Sequence, residues 1–296
     1  MKRFSIREER VAFEVGSVHV AGVLRVPLGA CASGALVFAG PMTSVKEQAS
    51  GNYAFAMAAR GFVTLAFDHR HFGESEGLPR QYEHPGRKVD EFRAAFGFLA
   101  KRPEVDPDRL GAVGVCAGAG YLAPAVAGDG RIKAWGTVAG YFHDVRQTRR
   151  WLGEDYDSML ERAVLAREHF EETGEARVIP AVGEGDVAMP LPEAFEYYST
   201  SRGVVPNYVN EFAIMSGEHT LTWDAQSAAY DITAPTIMVH SERAAAPPLA
   251  RKFFASLGGL KAQIWIDSDG QIDFYDDPER IDCVADQLTT HFRAFL

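Results

Sequence analysis

Residues 114–118 read Gly-Val-Cys-Ala-Gly, a G-x-C-x-G pentapeptide set between an apolar run (110–115) and a stretch of small residues (117–127). Glycine at both ends permits a turn from strand to helix too sharp for most side chains. Such a turn leaves the middle residue, Cys116, exposed at the start of a helix. Free N–H groups and the positive end of the helix dipole favour an anion there, so a lowered thiol pKa is expected. The pattern thus predicts a strand, a helix and a candidate nucleophile between them. A small buried cysteine would be the plainer reading, but the flanking glycines and the strand–helix setting favour the nucleophile.

The rest of the chain agrees with that local reading. Residues 10–15 and 18–26 are β-rich runs, joined by Gly16-Ser17 as in a tight hairpin. Runs at 35–39, 62–67, 110–115, 134–139, 236–240 and 262–266 are apolar, as strands buried on both faces should be. Helical spacing appears at 45–60, where Gly61 is a natural stop, and at 87–102, which Asp106-Pro107-Asp108 ends. Further helices are expected at 247–257 and 280–295. Strands alternating with helices imply a mostly parallel sheet wrapped by helices, with leading antiparallel strands at one edge. Residues 141–231 interrupt the alternation and are rich in aromatic and charged side chains. They are expected to form a helical cap inserted between two core strands. The expected division is a first core part (1–140), a cap (141–231) and a second core part (232–296).

Charge and cysteine usage narrow the function. A net charge of −10 and the absence of a basic run argue against nucleic acid and acidic membranes as partners. Cys31, Cys116 and Cys283 lie far apart with no C-x-x-C pair, so neither a metal site nor another cofactor is expected. The cysteine count and the polar opening residues suggest a cytoplasmic protein, and no apolar stretch of ~18 residues suggests a membrane helix. The expected partner is a small-molecule substrate, with a homodimer left open.

Together these segments resemble the α/β-hydrolase superfamily, in particular its bacterial esterase and dienelactone-hydrolase-like branch. The resemblance rests on the pentapeptide, on residues 39–48, on Asp68-His69-Arg70-His71-Phe72-Gly73-Glu74-Ser75 and on Phe274-Tyr275-Asp276. It implies that Cys116 occupies the nucleophile position of a G-x-S-x-G elbow. The oxyanion hole would use the N–H of Ala117 and one from the loop after the third strand, Met42 or Thr43, since Pro41 has none. Glu242 would be the acid after the seventh strand. The family pattern near the C-terminus resembles G-x-x-H-x-D-x-Y-D, and Gln271 stands where the histidine belongs. An amide cannot accept a proton near neutral pH.

Three replacements for the missing base come from loops that should converge on the crevice, His71, His143 and His240. His69 and His219 are weaker candidates, and His169 and His291 read as helix-surface residues. Tyr141 and Trp151 are the expected pocket aromatics. Lys46 and Glu47 could face the crevice or solvent equally well. The resulting expectation is an enzyme acting through Cys116 on an ester, thioester, lactone or related carbonyl of a hydrophobic small molecule. Thiolate forms more easily than alkoxide, so a cysteine tolerates the loss of a base better than a serine would. A non-hydrolytic cyclase, lyase, isomerase or acyl transferase is the alternative, and a non-catalytic small-molecule binder the third.

Overall fold

The structure, a computed structural model, describes residues 3–29 and 33–296; Cys31 lies outside them. Strands β1 (Ile6–Val15) and β2 (Val18–Pro27) form an antiparallel hairpin, closed where Val15 pairs with Val18. Gly16 at that turn has φ +62°, a backbone state that glycine adopts without strain. Strand β3 (Ser33–Ala39) is followed by helix α1 (Ala49–Ala58), strand β4 (Val63–Phe67) and helix α2 (Pro85–Leu99). Strand β5 (Val105–Val115) leads into helix α3 (Ala117–Gly128) and then strand β6 (Ile132–Val138).

Helix α1 starts later than its apolar spacing suggests, because Lys46 is pulled into the interior. Its ammonium lies 2.7 Å from Asp68 and 2.7 Å from Glu74, with its side chain 2% exposed. The Lys46 side chain therefore faces neither crevice nor solvent. Helix α2 starts earlier than expected, where His84 accepts from the Arg87 N–H and Pro85 fills the first turn. Asp106-Pro107-Asp108 does not precede a strand but lies inside β5. The pairing with β3 shifts there from Val105 to Leu110, which accommodates the proline as an irregularity in the strand.

Between β6 and the next core strand lie helices α4 (Val145–Leu152) and α5 (Asp155–Thr173), a short strand β7 (Val178–Ile179) and helix α6 (Pro192–Ser199). Strand β8 (Phe212–Ala213) and helix α7 (Gly217–Thr220) follow. Strands β7 and β8 pair as a small antiparallel ladder, so this segment carries strand pairing besides its helices. The core resumes with β9 (Thr236–His240), α8 (Pro247–Ser256), β10 (Lys261–Trp265), α9 (Asp273–Asp276) and α10 (Pro278–Phe295).

The main sheet has eight strands in the order β1-β2-β4-β3-β5-β6-β9-β10. Every pairing from β4 to β10 is parallel. One face packs on α2, α3 and α8 through Phe92, Phe96, Leu122 and Phe253. The other packs on α1 and α10 through Tyr53, Met57, Leu288 and Phe292. Each fully buried phenylalanine or leucine among them contributes about 1.5–3 kcal/mol. The chain order reverses between β3 and β5, so their C-terminal ends open onto a crevice at the switch point of the sheet. Among the described residues, no helix is long and apolar enough to cross a membrane.

Candidate active site

Cys116 stands at that switch point, between the last residue of β5 and the first of α3. Its backbone has φ +54° and ψ −129°, a region that costs a non-glycine residue about 1–3 kcal/mol. Three backbone bonds hold it there. Its N–H donates to Val138 O at 3.1 Å, and its carbonyl accepts from Ala119 N at 3.0 Å and Tyr141 N at 2.9 Å. The two glycines have distinct roles. A Cβ at 114 would lie 2.5 Å from Ala119 Cα, and one at 118 would lie 2.4 Å from Gly40 O. Each glycine therefore allows backbone to approach backbone on one side of the turn.

A cavity of about 340 Å³ opens over Cys116. Met159, Ile179, Met189, Leu191, Phe212 and Leu221 supply apolar wall, all from the segment between β6 and β9. Cys116, Ala117, Met42, Gln271, Tyr141 and His143 all line it, so the structure brings these expected residues together. Thr43 is directed elsewhere, its N–H reaching 3.3 Å to the buried carboxylate of Glu83, which also holds Lys88 at 2.5 Å. The loop thus leaves Met42 beside Ala117 at the cavity.

Other expected residues lie apart from Cys116. Glu242 extends into solvent, 65% exposed, and pairs with Arg251. Trp151 is 53% exposed on the outside of α4. His240 is buried with its ring nitrogens 2.9 Å from Ser241 O and 3.2 Å from Gly140 O. His71 is buried against Tyr82, with Arg87 at 3.2 Å, and burial followed by the Arg87 charge pushes its pKa down to about 4. His143 does line the cavity, stacked on Tyr121 at 5.1 Å. Burial, then the Lys88 charge, pushes it down to about 3. His291 is buried rather than on the helix surface, 3.1 Å from Pro235 O.

The surroundings of Cys116 reverse the expected direction of its titration. Burial raises the thiol pKa and outweighs the helix terminus. Tyr275, the Ala117 N–H and Gln271 act against burial by favouring the ionised sulfur, while the negative charge of Glu193 raises the pKa further. Gln271 is fixed at both ends of its amide. Its Oε1 accepts from Ala245 N at 2.8 Å, and its Nε2 donates to Ala139 O at 3.0 Å and to the Tyr275 hydroxyl at 3.4 Å. The amide oxygen meets a backbone N–H, where a carboxylate would be needed to orient a histidine.

Sequence reasoning missed Tyr275 and Glu193. Tyr275 lies in the C-terminal segment that carried the resemblance, one helical turn beyond Gln271, and that spacing was the available signal. Glu193 carries no motif. It reaches from α6 to the core, its carboxylate 3.2 Å from Gln271 N and 3.4 Å from Ile272 N. Gly270 makes room for it, since a Cβ there would lie 2.0 Å from Glu193 Oε2.

No family model matches the chain. It is 33% identical over 262 residues to the uncharacterized protein PA2218 of Pseudomonas aeruginosa, covering 83% of this chain and 69% of that one. It is 35% identical over 218 residues to the uncharacterized protein YcjY of Escherichia coli K12, covering 71% of each. A shorter match, 33% over 129 residues, covers 43% of this chain and 41% of the thiohydrolase aneE of Aspergillus aculeatus. The crystal structure of PA2218 superposes with a TM-score of 0.88 at 29% identity, covering 98% of this chain and 94% of that one. The α/β hydrolase GrgF of Penicillium sp. sh18 superposes with a TM-score of 0.82 at 19% identity, covering 98% of this chain and 99% of that one.

Proposed function

The chain belongs to the α/β-hydrolase superfamily, and from that premise we propose that it is an enzyme that takes the acyl group of an apolar ester, thioester or lactone onto Cys116. The observation that carries this reading is the strained, glycine-flanked backbone of Cys116 at the floor of an apolar cavity. Strain of that kind is retained where it aims a reactive side chain. The carbonyl oxygen of the substrate would be received by the N–H groups of Ala117 and Met42, whose residues both line the cavity. Attack by the thiolate forms the Sγ–acyl bond, and the donor's oxygen or sulfur leaves with the electron pair of the bond that breaks.

The test is direct. Acyl thioesters of increasing chain length are offered to the native protein and to Cys116→Ala, with turnover and intact mass followed together. A persistent acyl adduct on Cys116 and loss of turnover in the variant are expected. Unchanged turnover in the variant would refute the covalent route.

A second reading concerns the acceptor. Gln271 holds its amide in three hydrogen bonds and is no base. Hydrolysis of a thioester needs an activated water. Transfer to an acceptor that arrives already ionised does not, and Gln271 therefore favours acyl transfer over hydrolysis. Adding a small thiol to the acylated protein should discharge it much faster than buffer alone; equal rates would favour hydrolysis.

A further inference from the structure

The chain of hydrogen bonds behind Cys116 has a fixed direction. The Ala245 N–H can only donate, so the atom of Gln271 that it meets at 2.8 Å is the amide oxygen. The amide nitrogen is then committed to Ala139 O and to the Tyr275 oxygen. A phenol has one proton and accepts through its oxygen. With that oxygen already accepting from Gln271, the Tyr275 proton is free to point away from the amide, toward the sulfur. Tyr275 and Cys116 line the same cavity, and the phenol is buried at 3% exposure.

We propose that Tyr275 is a catalytic residue that donates its hydroxyl proton as a hydrogen bond to Cys116 Sγ, with Gln271 as the positioning residue that sets this direction. The inference rests on Cys116 being the acyl-carrying nucleophile. A histidine in that place would withdraw a proton from the nucleophile; a phenol with this polarity instead stabilises the sulfur once it is an anion. The effect is felt at two moments. Before attack, it increases the fraction of Cys116 present as thiolate. During discharge, the electron pair of the Sγ–acyl bond returns to sulfur, and the same hydrogen bond stabilises the departing thiolate. The proton stays on the Tyr275 oxygen throughout. The reaction class that balances without a base is thioester exchange. A donor thioester loses its own thiolate as the Sγ–acyl bond forms, and an acceptor thiolate then takes the acyl group. The opposing tendencies on the two side chains agree with this direction. Burial above all, and then the contact with Cys116, holds the Tyr275 proton more tightly, whereas the contact with Gln271 loosens it.

Alkylation by iodoacetamide reads the thiolate fraction, and exposed Cys283 provides a reference in the same molecule. The native protein and Tyr275→Phe are alkylated across pH 6–10, and the rate at Cys116 is divided by that at Cys283 through peptide mass analysis. Loss of a hydrogen bond to a charged group predicts a Cys116 rate about tenfold lower at each pH below the thiol midpoint, which moves up by about one unit. Replacing Tyr275 by 3,5-difluorotyrosine keeps the ring and strengthens the donor, so the midpoint should move down. That variant also answers if Tyr275→Phe fails to fold. Equal Cys116:Cys283 ratios in the native protein and the variant would overturn the role of Tyr275 while leaving Cys116 as nucleophile. Absence of Cys116 modification in the native protein itself, with Cys283 modified, would instead overturn the reading beneath it.

Discussion

Gln271 turns its amide nitrogen, not its oxygen, toward the Tyr275 hydroxyl 3.4 Å away. The side chain therefore donates where a catalytic histidine would accept. Replacing it gives the first prediction. Gln271→His places a ring with an acceptor nitrogen in the same pocket, and a general base is worth about 10²–10⁴-fold. Ala245 N–H occupies the position where a carboxylate would orient that ring, and Glu242 is turned out to Arg251. The expected gain is therefore at the lower end, about 10²-fold in the rate at which an acyl adduct on Cys116 is hydrolysed. Time-resolved intact mass measures it; an adduct lifetime equal to that of the native protein would contradict it.

The second prediction concerns the turn itself. A Cβ on residue 118 would lie 2.4 Å from Gly40 O and 2.6 Å from Ala39 O, both backbone atoms at the end of β3. Backbone cannot swing aside as a flexible side chain can, so Gly118→Ala must displace either α3 or the loop that carries Met42. Overpacking of this kind costs about 1–3 kcal/mol. Urea unfolding should show that loss. Cys116 acylation should fall in the folded fraction as well, because the same shift separates Ala117 N from Met42 N. A variant with native stability and native acylation would show that the close approach is not needed.

The order of the core elements was legible because buried parallel strands are short apolar runs, a signal carried by each segment alone. The pentapeptide likewise marked Cys116, since the close backbone approaches at Gly114 and Gly118 exclude a Cβ. What failed depends on partners distant in sequence. Lys46 read equally well as facing the crevice or solvent because Asp68 and Glu74, which bury it, lie on another loop. The thiol pKa was misjudged in direction because the helix terminus is local whereas burial comes from the whole cavity wall. Glu242 was misplaced because position after β9 does not say which way a loop side chain turns. Glu193 had no local signature, and its role rests on amides 78 and 79 residues away.

The third prediction follows from the buried histidines. His71 and His143 are held neutral in the folded chain, with pKa values pushed down to about 4 and about 3 from an ordinary 6.5. The unfolded chain therefore binds more protons below pH 6.5, and stability should fall as the pH drops through the window from 6.5 to about 4. Each such histidine contributes a slope of about 1.4 kcal/mol per pH unit there. His143→Phe removes one titrating group, so its stability should depend less steeply on pH by about that amount. Urea unfolding at pH 4, 5, 6 and 7 compares the two proteins. Parallel curves would mean that His143 is not kept neutral by folding.

The fourth prediction concerns the contact between α6 and the core. The Glu193 carboxylate spans the N–H groups of Gln271 and Ile272, and Gly270 leaves room for it. Hydrogen bonds to a charged group are worth about 1.5–3 kcal/mol when buried, and Glu193 is only half-buried, so about 1 kcal/mol is the appropriate scale. Glu193→Gln weakens both bonds, and amide exchange at Gln271 and Ile272 should quicken by about fivefold. The substitution also removes a negative charge that holds the Cys116 thiol pKa up. Cys116 should then react faster with iodoacetamide, with the exposed Cys283 unchanged. Gly270→Ala must push the same carboxylate off its amides by steric contact while leaving its charge in the molecule. It should therefore reproduce the faster exchange with a smaller gain in thiol reactivity. If Gly270→Ala and Glu193→Gln accelerate Cys116 equally, access rather than charge governs the thiol; if neither alters amide exchange, Glu193 does not hold the Gln271 loop.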